Sequence, residues 1–282
     1  YSYQWYKDGS IINGATSSTY QSGPLFITSQ FSLEITDDCG QLQTNSVTIT
    51  VYPDVIAGQI TGGQTICYNT VPSSLTFSSP SSGGQGTHSY QWQSSTDALV
   101  WSNENGATGT TFSPSSLQET THYRVRVTDS CETVFTNEIT ISVYDEFFVG
   151  SLSGNDTICF NTLPSQLSAP LASGGEGTYS YQWYKDGSII NGATSSTYQP
   201  LALTSTSNYS VEVSDLCGSL TSNSITVTVL PDFLVGSLLG SQTICFGDTP
   251  STLTSPAISG GEGTYSYQWY KDGSIINGAT SS

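Results

Sequence analysis

Methionine is absent from the 282 residues, and cations are scarce: five Lys and Arg stand against 22 Asp and Glu, for a formal net charge of −17. So few basic side chains cannot be clustered against phosphates, which excludes a nucleic-acid binder. No apolar run of about 18 residues occurs, so no membrane span as a helix is expected. Charged residues make up only 10% of the chain, unlike highly charged disordered sequences. Histidine is limited to His88 and His122. Equivalent positions in the next module carry Tyr179 and Asn208, so the histidines read as surface residues rather than catalytic bases. No serine sits in a G-x-S-x-G elbow. The stretch Gly174-Gly175-Glu176-Gly177 lacks the lysine and following helix of a phosphate loop. The sequence reads as non-enzymatic.

What is present is repetition. The segment YSYQWYKDGSIINGATSS stands unchanged at 1–18, 179–196 and 265–282, and a diverged copy starts at His88. The starts at 1, 88, 179 and 265 are 87, 91 and 86 residues apart. The longer period comes from a five-residue insertion within 95–104, which also carries Trp101. Such periods signal an array of equivalent folding units. The expected partition is 1–53 (the C-terminal part of a repeat), 54–144 and 145–230 (two complete repeats), and 231–282 (the N-terminal part of another). Together with the missing methionine, this reads as a window on a longer tandem array.

Within 145–230 the apolar run 147–152 is expected to be a first strand, followed by short strands at 157–160 and 166–169. The aromatic strand 179–184 closes at Asp186-Gly187, a hairpin-turn signal. Tyr209, Val211 and Val213 alternate with polar residues, as do Ile225, Val227 and Val229. The same alternation recurs at Phe31, Leu33 and Ile35, at Tyr123, Val125 and Val127, and at Ile139, Ile141 and Val143. Period-two patterning at equivalent places points to half-buried strands, and no 3.6-residue pattern competes with it. An all-β sandwich of six to eight short strands per repeat is expected.

Six cysteines fall into two kinds. Cys67, Cys159 and Cys245 follow Thr-Ile, whereas Cys39, Cys131 and Cys217 sit at a turn with Asp two residues earlier. Two per module in an acidic Ser/Thr-rich chain read as disulfides in an oxidising compartment, and no zinc-type spacing occurs.

Y-x-W in the aromatic strand, I-x-G-A-T-x-x-x-Y after it, Y-x-V-x-V before a turn and the closing alternating strand resemble immunoglobulin-like (Ig-like) domains. More narrowly, T-I-C-x-G-x-x-P-x-x-L, matched at Thr65–Leu75, Thr157–Leu167 and Thr243–Leu253, resembles the tandem Ig-like and PKD-like repeats of giant Bacteroidetes-type surface proteins. Gliding-motility adhesins of the SprB type are among these. The motif's glycine is kept only at Gly247, with Asn69 and Asn161 in its place elsewhere. The resemblance implies tandem Ig-like β-sandwich repeats of about 86–91 residues, with Trp5, Trp92, Trp183 and Trp269 buried between sheets. Trp101, in the insertion, is the aromatic expected to be exposed for binding. Pairing of cysteines within a repeat, Cys67 with Cys131 and Cys159 with Cys217, is the default. In an Ig-like topology the two kinds would lie near opposite poles, and Cys67 would then meet Cys217.

No cofactor is expected. Asp37-Asp38, Asp145-Glu146, Asp129 and Asp215 are candidate calcium ligands, although no D-x-D-x-D-G loop occurs. Asp156-Thr157-Ile158 matches the bacterial D-S/T-aliphatic acceptor pattern, making Thr157 a glycosylation candidate. The expected function is a structural and adhesive segment of a long secreted or cell-surface filament. Its expected partners are neighbouring repeats, further copies in self-assembled fibres, and surface glycans or other cells. The alternatives are stalk modules of a secreted enzyme and a glycan-binding module.

Overall fold

The computed structural model describes residues 1–282 and consists of strands and turns with no helix. The chain divides into two compact units, 1–143 and 144–282.

In the first unit, residues 55–143 build a two-sheet sandwich. The larger sheet runs Ser102–Asn103, Ser89–Ser95, Thr121–Thr128, Ile139–Val143, Gln64–Ile66, and Thr133–Phe135 also pairs with the central strand Thr121–Thr128. The smaller sheet runs Thr111–Phe112, Leu75–Ser79, Gln59–Thr61. Alternation in Thr121–Thr128 directs Tyr123, Val125 and Val127 inward to full or near-full burial, while His122, Arg124 and Arg126 face outward. Trp92 lies opposite Val125 and is wholly buried. Together with Ile60, Leu75 and Ile141 they form the core that joins the two sheets. Complete burial of each such side chain contributes roughly 1.5–3 kcal/mol.

The opening strand belongs to both sheets. Gln59–Thr61 runs antiparallel to Leu75–Ser79, and after Gly62-Gly63 the chain continues as Gln64–Ile66, parallel to Ile139–Val143. Gly62 has φ +124°, and a Cβ there would lie 2.9 Å from Leu75 Cδ2, so the crossover needs a bare backbone.

The second unit repeats this plan. Its main sheet runs Asp156–Ile158, Ile225–Val229, Ser207–Asp215, Ser180–Lys185, Ser188–Ile189, and Gly218–Thr221 also pairs with the central strand Ser207–Asp215, on the same edge as Ile225–Val229. Leu152, Leu167, Trp183, Leu203, Tyr209, Val211, Ile225 and Val227 form its core. The tandem Ig-like β-sandwich architecture is therefore present in full.

The expected first strand at 147–152 is shorter: only Phe148–Val149 pairs. Leu152 is nonetheless buried, because Asn223 stands in for a neighbouring strand. Its Oδ1 accepts from the Leu152 N–H at 2.7 Å, and its Nδ2 donates to the Leu152 carbonyl at 2.9 Å. Asn137 clamps Ile60 in the same way in the first unit. Both arrangements satisfy backbone groups that no neighbouring strand reaches.

The terminal stretches differ from the complete sandwiches. Residues 2–49 form one five-stranded sheet, and 231–282 contribute only two two-stranded pairs. Trp5 and Trp269, expected in a core, are consequently half-buried, since a full sandwich does not close over them within these stretches.

Candidate functional site

Each complete sandwich has two poles, and the cysteines sit on them. At one pole the central strand turns through Asp-x-Cys. Asp129 Oδ1 accepts from the N–H groups of Cys131 (2.8 Å) and Glu132 (2.9 Å), and its Oδ2 accepts from Gln85 N–H (2.6 Å). The Glu132 and Gln85 amides hold the Asp129 carboxyl below the usual carboxylate range. Asp215 repeats the arrangement with Cys217 N–H (2.7 Å) and Glu176 N–H (2.7 Å). This carboxylate ties the turn to the glycine-rich loop of its own module. A Cβ at Gly175 would overlap the Asp215 carboxylate, which explains the glycine pair there.

The side chain that begins the 18-residue segment braces the same loop. Tyr179 donates to the Gly174 carbonyl at 2.8 Å and Tyr265 to the Gly260 carbonyl at 2.7 Å. His88, in the equivalent position, places Nε2 3.2 Å from the Gly83 carbonyl. His122 is at the far end of the tryptophan strand, opposite Ser95, with Thr140 Oγ1 as its partner. The two histidines are thus separate structural contacts.

At the other pole, Thr-Ile-Cys leaves the sheet and enters a tight turn. The Cys67 carbonyl accepts from Thr70 Oγ1 at 2.7 Å, and Cys159 makes the same bond with Thr162. Asn69 (φ 56°), Asn161 (φ 57°) and Gly247 (φ 92°) occupy the left-handed position of this turn. Asn substitutes for the motif's glycine because it tolerates that region better than other side chains.

The cysteine states correct the default expectation. Cys67 and Cys217 are disulfide-bonded, whereas Cys39, Cys131, Cys159 and Cys245 are exposed free thiols. The pairs Cys67–Cys131 and Cys159–Cys217 do not form. In the first module, Ile66 pairs with Val143, beyond the Thr121 end of the central strand, while Cys131 lies past its Thr128 end. The seven steps along this eight-residue strand, at about 3.4 Å each, separate them by roughly 24 Å, against a Cα limit of about 7 Å for a disulfide. The nine-residue strand Ser207–Asp215 keeps Cys159 and Cys217 apart for the same reason.

Trp101, expected to be an exposed binding aromatic, is half-buried. Arg124 packs over its ring at 4.1 Å and over Phe135 at 4.2 Å. The guanidinium also donates to Gln93 Oε1 (3.0 Å) and pairs with Glu138 at 3.8 Å. A cation–π stack therefore occupies the indole face. The insertion instead exposes Leu99 and Val100 (82% and 72%), on a turn capped by Asp97. The Val100 and Leu99 amides lower the Asp97 pKa. Thr157 is exposed on the edge strand Asp156–Ile158. The calcium candidates do not assemble: no group of three or more His, Cys, Asp or Glu side chains converges.

A family profile described as Domain of unknown function (DUF8696) matches twice, at residues 56–145 and 148–231, more than half of the chain. The chain belongs to this family. The two matches repeat one after the other along it, with strands and cores as described above. No curated protein matches the sequence. Among solved structures, the chain is similar to Drosophila OTK extracellular domains 3-5, at 14% identity and a TM-score of 0.38, covering 81% of this chain and 85% of that one. It is also similar to Sidekick-1 immunoglobulin domains 1-5, at 13% identity and a TM-score of 0.32, covering 97% of this chain and 62% of that one.

Proposed function

We propose that this chain is a structural and adhesive segment of a long extracellular or cell-surface filament, built from tandem Ig-like repeats with modules at 54–144 and 145–230. The observation that carries this reading is the repetition of one sandwich with its own core, poles and loop braces. An acidic surface, at a net charge of −17, keeps a long polymer soluble and self-repelling. The sequence resemblance supports a bacterial surface adhesin of the gliding-motility kind. Surface glycans or other cells are its partners in this reading, and the exposed Thr157 is its glycosylation site. Many weak contacts along the array then supply avidity.

Two measurements test this. Single-molecule extension under reducing conditions should give successive unfolding events of equal size. Each should release about 300 Å, from roughly 3.5 Å per residue over a repeat of 86–91 residues. Beads coated with the chain should bind a cell or glycan-bearing surface more strongly as coating density rises. A single cooperative unfolding event, or binding that ignores density, would count against the proposal.

A further inference from the structure

We propose that the open face of the sheet formed by residues 2–49 is a docking site for residues 234–254 of a second copy of the chain. The occupant supplies the opening strands of a repeat, and the sheet supplies the closing ones. The proposal rests on the tandem-repeat reading above and names its partner.

The second unit contains the template, entirely within 145–230. There the sheet face of Trp183, Val211, Ile225 and Val227 is buried in one core with Leu152 and Leu167. Residues 2–49 rebuild that sheet in the same register. Trp5 lies opposite Leu33 as Trp183 lies opposite Val211, and Phe31 lies opposite Val47 as Tyr209 lies opposite Ile225. This second face is open: Val47 is 63% exposed where Ile225 is 3% exposed, and Ile49 is exposed where Val227 is fully buried. Three further groups lack the partner that the template gives them. Asn223 clamps Leu152, but Asn45 reaches only the Ser46 carbonyl, at 3.5 Å. Ile225–Val229 pairs in parallel with Asp156–Ile158, whereas Val47–Ile49 pairs only with Ser29–Asp37. Leu167–Ser168 pairs with Thr197–Tyr198, whereas Thr19 and Tyr20 lie outside any ladder.

Residues 234–254 carry each missing part. Leu238, Ile244 and Leu253 hold the repeat positions of Leu152, Ile158 and Leu167, and all three are exposed. Leu234–Val235 already pairs with Ile258–Ser259, as Phe148–Val149 pairs with Ala172–Ser173. The segment holds one charged side chain, Asp248, in a chain of net charge −17, so its burial meets little self-repulsion. By the template's register, docking sets the Leu238 backbone on Asn45, 242–244 beside 49–51, and Leu253 opposite Tyr20. This is strand addition that also completes a core. The joined surfaces are unlike, so the contact is heterologous and propagates from copy to copy.

The test is light scattering of the whole chain under reducing conditions, from about 1 μM to about 1 mM. The expected result is a mean mass that rises with concentration through the dimer to longer assemblies. Val47→Asp with Ile49→Asp blocks the face, and Ile244→Asp with Leu253→Asp blocks the segment. Each double variant alone should remain monomeric. Mixed in equal amounts, the two keep one intact face and one intact segment between them, so the mixture should stop at the dimer. Melting followed by circular dichroism checks that both variants keep the parent transition of the complete modules. A parent that stays monomeric throughout, double variants that assemble as the parent does, or a mixture that stays monomeric would overturn the docking. Extension and bead binding report on the filament reading separately.

Discussion

Three tryptophans stand in the same 18-residue sequence but in different surroundings, which makes truncation of each an internal comparison. Trp5, Trp183 and Trp269 share their neighbours, and each indole N–H donates to a serine carbonyl twelve residues on, at 3.0, 2.9 and 2.9 Å. Only Trp183 is fully buried; it packs near Tyr198 and opposite Val211 within the second core. Trp183→Ala empties a closed site and should cost about 3–5 kcal/mol, as for other large core aromatics. Trp5→Ala and Trp269→Ala lose the same hydrogen bond and only part of the apolar burial. They should each cost less than Trp183→Ala, because part of each indole already meets water and that area is not removed from it. Urea denaturation followed by circular dichroism measures the three variants, with the parent slope checking that cooperativity is kept. Equal losses in all three would refute the reasoning, because local sequence and not sandwich closure would then set the contribution.

Other consequences follow from single residues. Gly187 has φ +77° in the Asp186-Gly187 hairpin, so Gly187→Ala should destabilise the second unit by about 1–2 kcal/mol, measured by thermal melting. Asn161→Gly should leave stability nearly unchanged and Asn161→Val should lower it by about 1–2 kcal/mol, because the position needs the left-handed region. Burial pushes Tyr123 and Tyr209 up to about 12, above the ordinary tyrosine value of 10.0. The folded state then holds these protons more tightly than the unfolded state. Stability should be complete below pH 10 and fall as pH rises towards 12, and Tyr209→Phe should flatten that fall in alkaline melting curves. Asp129 is held low by backbone amides, so its contribution is present above its unfolded value and is lost as acid protonates it. Asp129→Asn should weaken the acid limb of the stability profile.

Much of the architecture was legible along the chain. Alternation in 121–128 and 207–215 decides which side chains face inward, because a strand's period of two leaves one choice of face. The Asp-Gly pairs specify their hairpins for a local reason. Asp186 and Gly187 both take positive φ, as a two-residue turn joining twisted strands requires. The limits are equally specific. Nothing local marks Asn223 or Asn137 as clamps on Leu152 and Ile60, 71 and 77 residues away. The run 147–152 looks like one strand because its apolar residues are contiguous, yet a side-chain amide replaces half of its ladder. The role of His88 appears only beside Tyr179 and Tyr265, which reach the same loop carbonyl with different chemistry.

By itself, the sequence determined the repeat, the strands, their inward faces and the turns, all of which follow from steric and solvation preferences within a few residues. Tertiary structure decided burial and cysteine partnership. Identical segments bury their tryptophan only where a second sheet closes over it, since burial depends on atoms contributed from elsewhere in the chain. The two cysteine kinds of one module cannot join because a whole central strand stands between them, and that distance arises only when the opening strand crosses to lie parallel to the closing one.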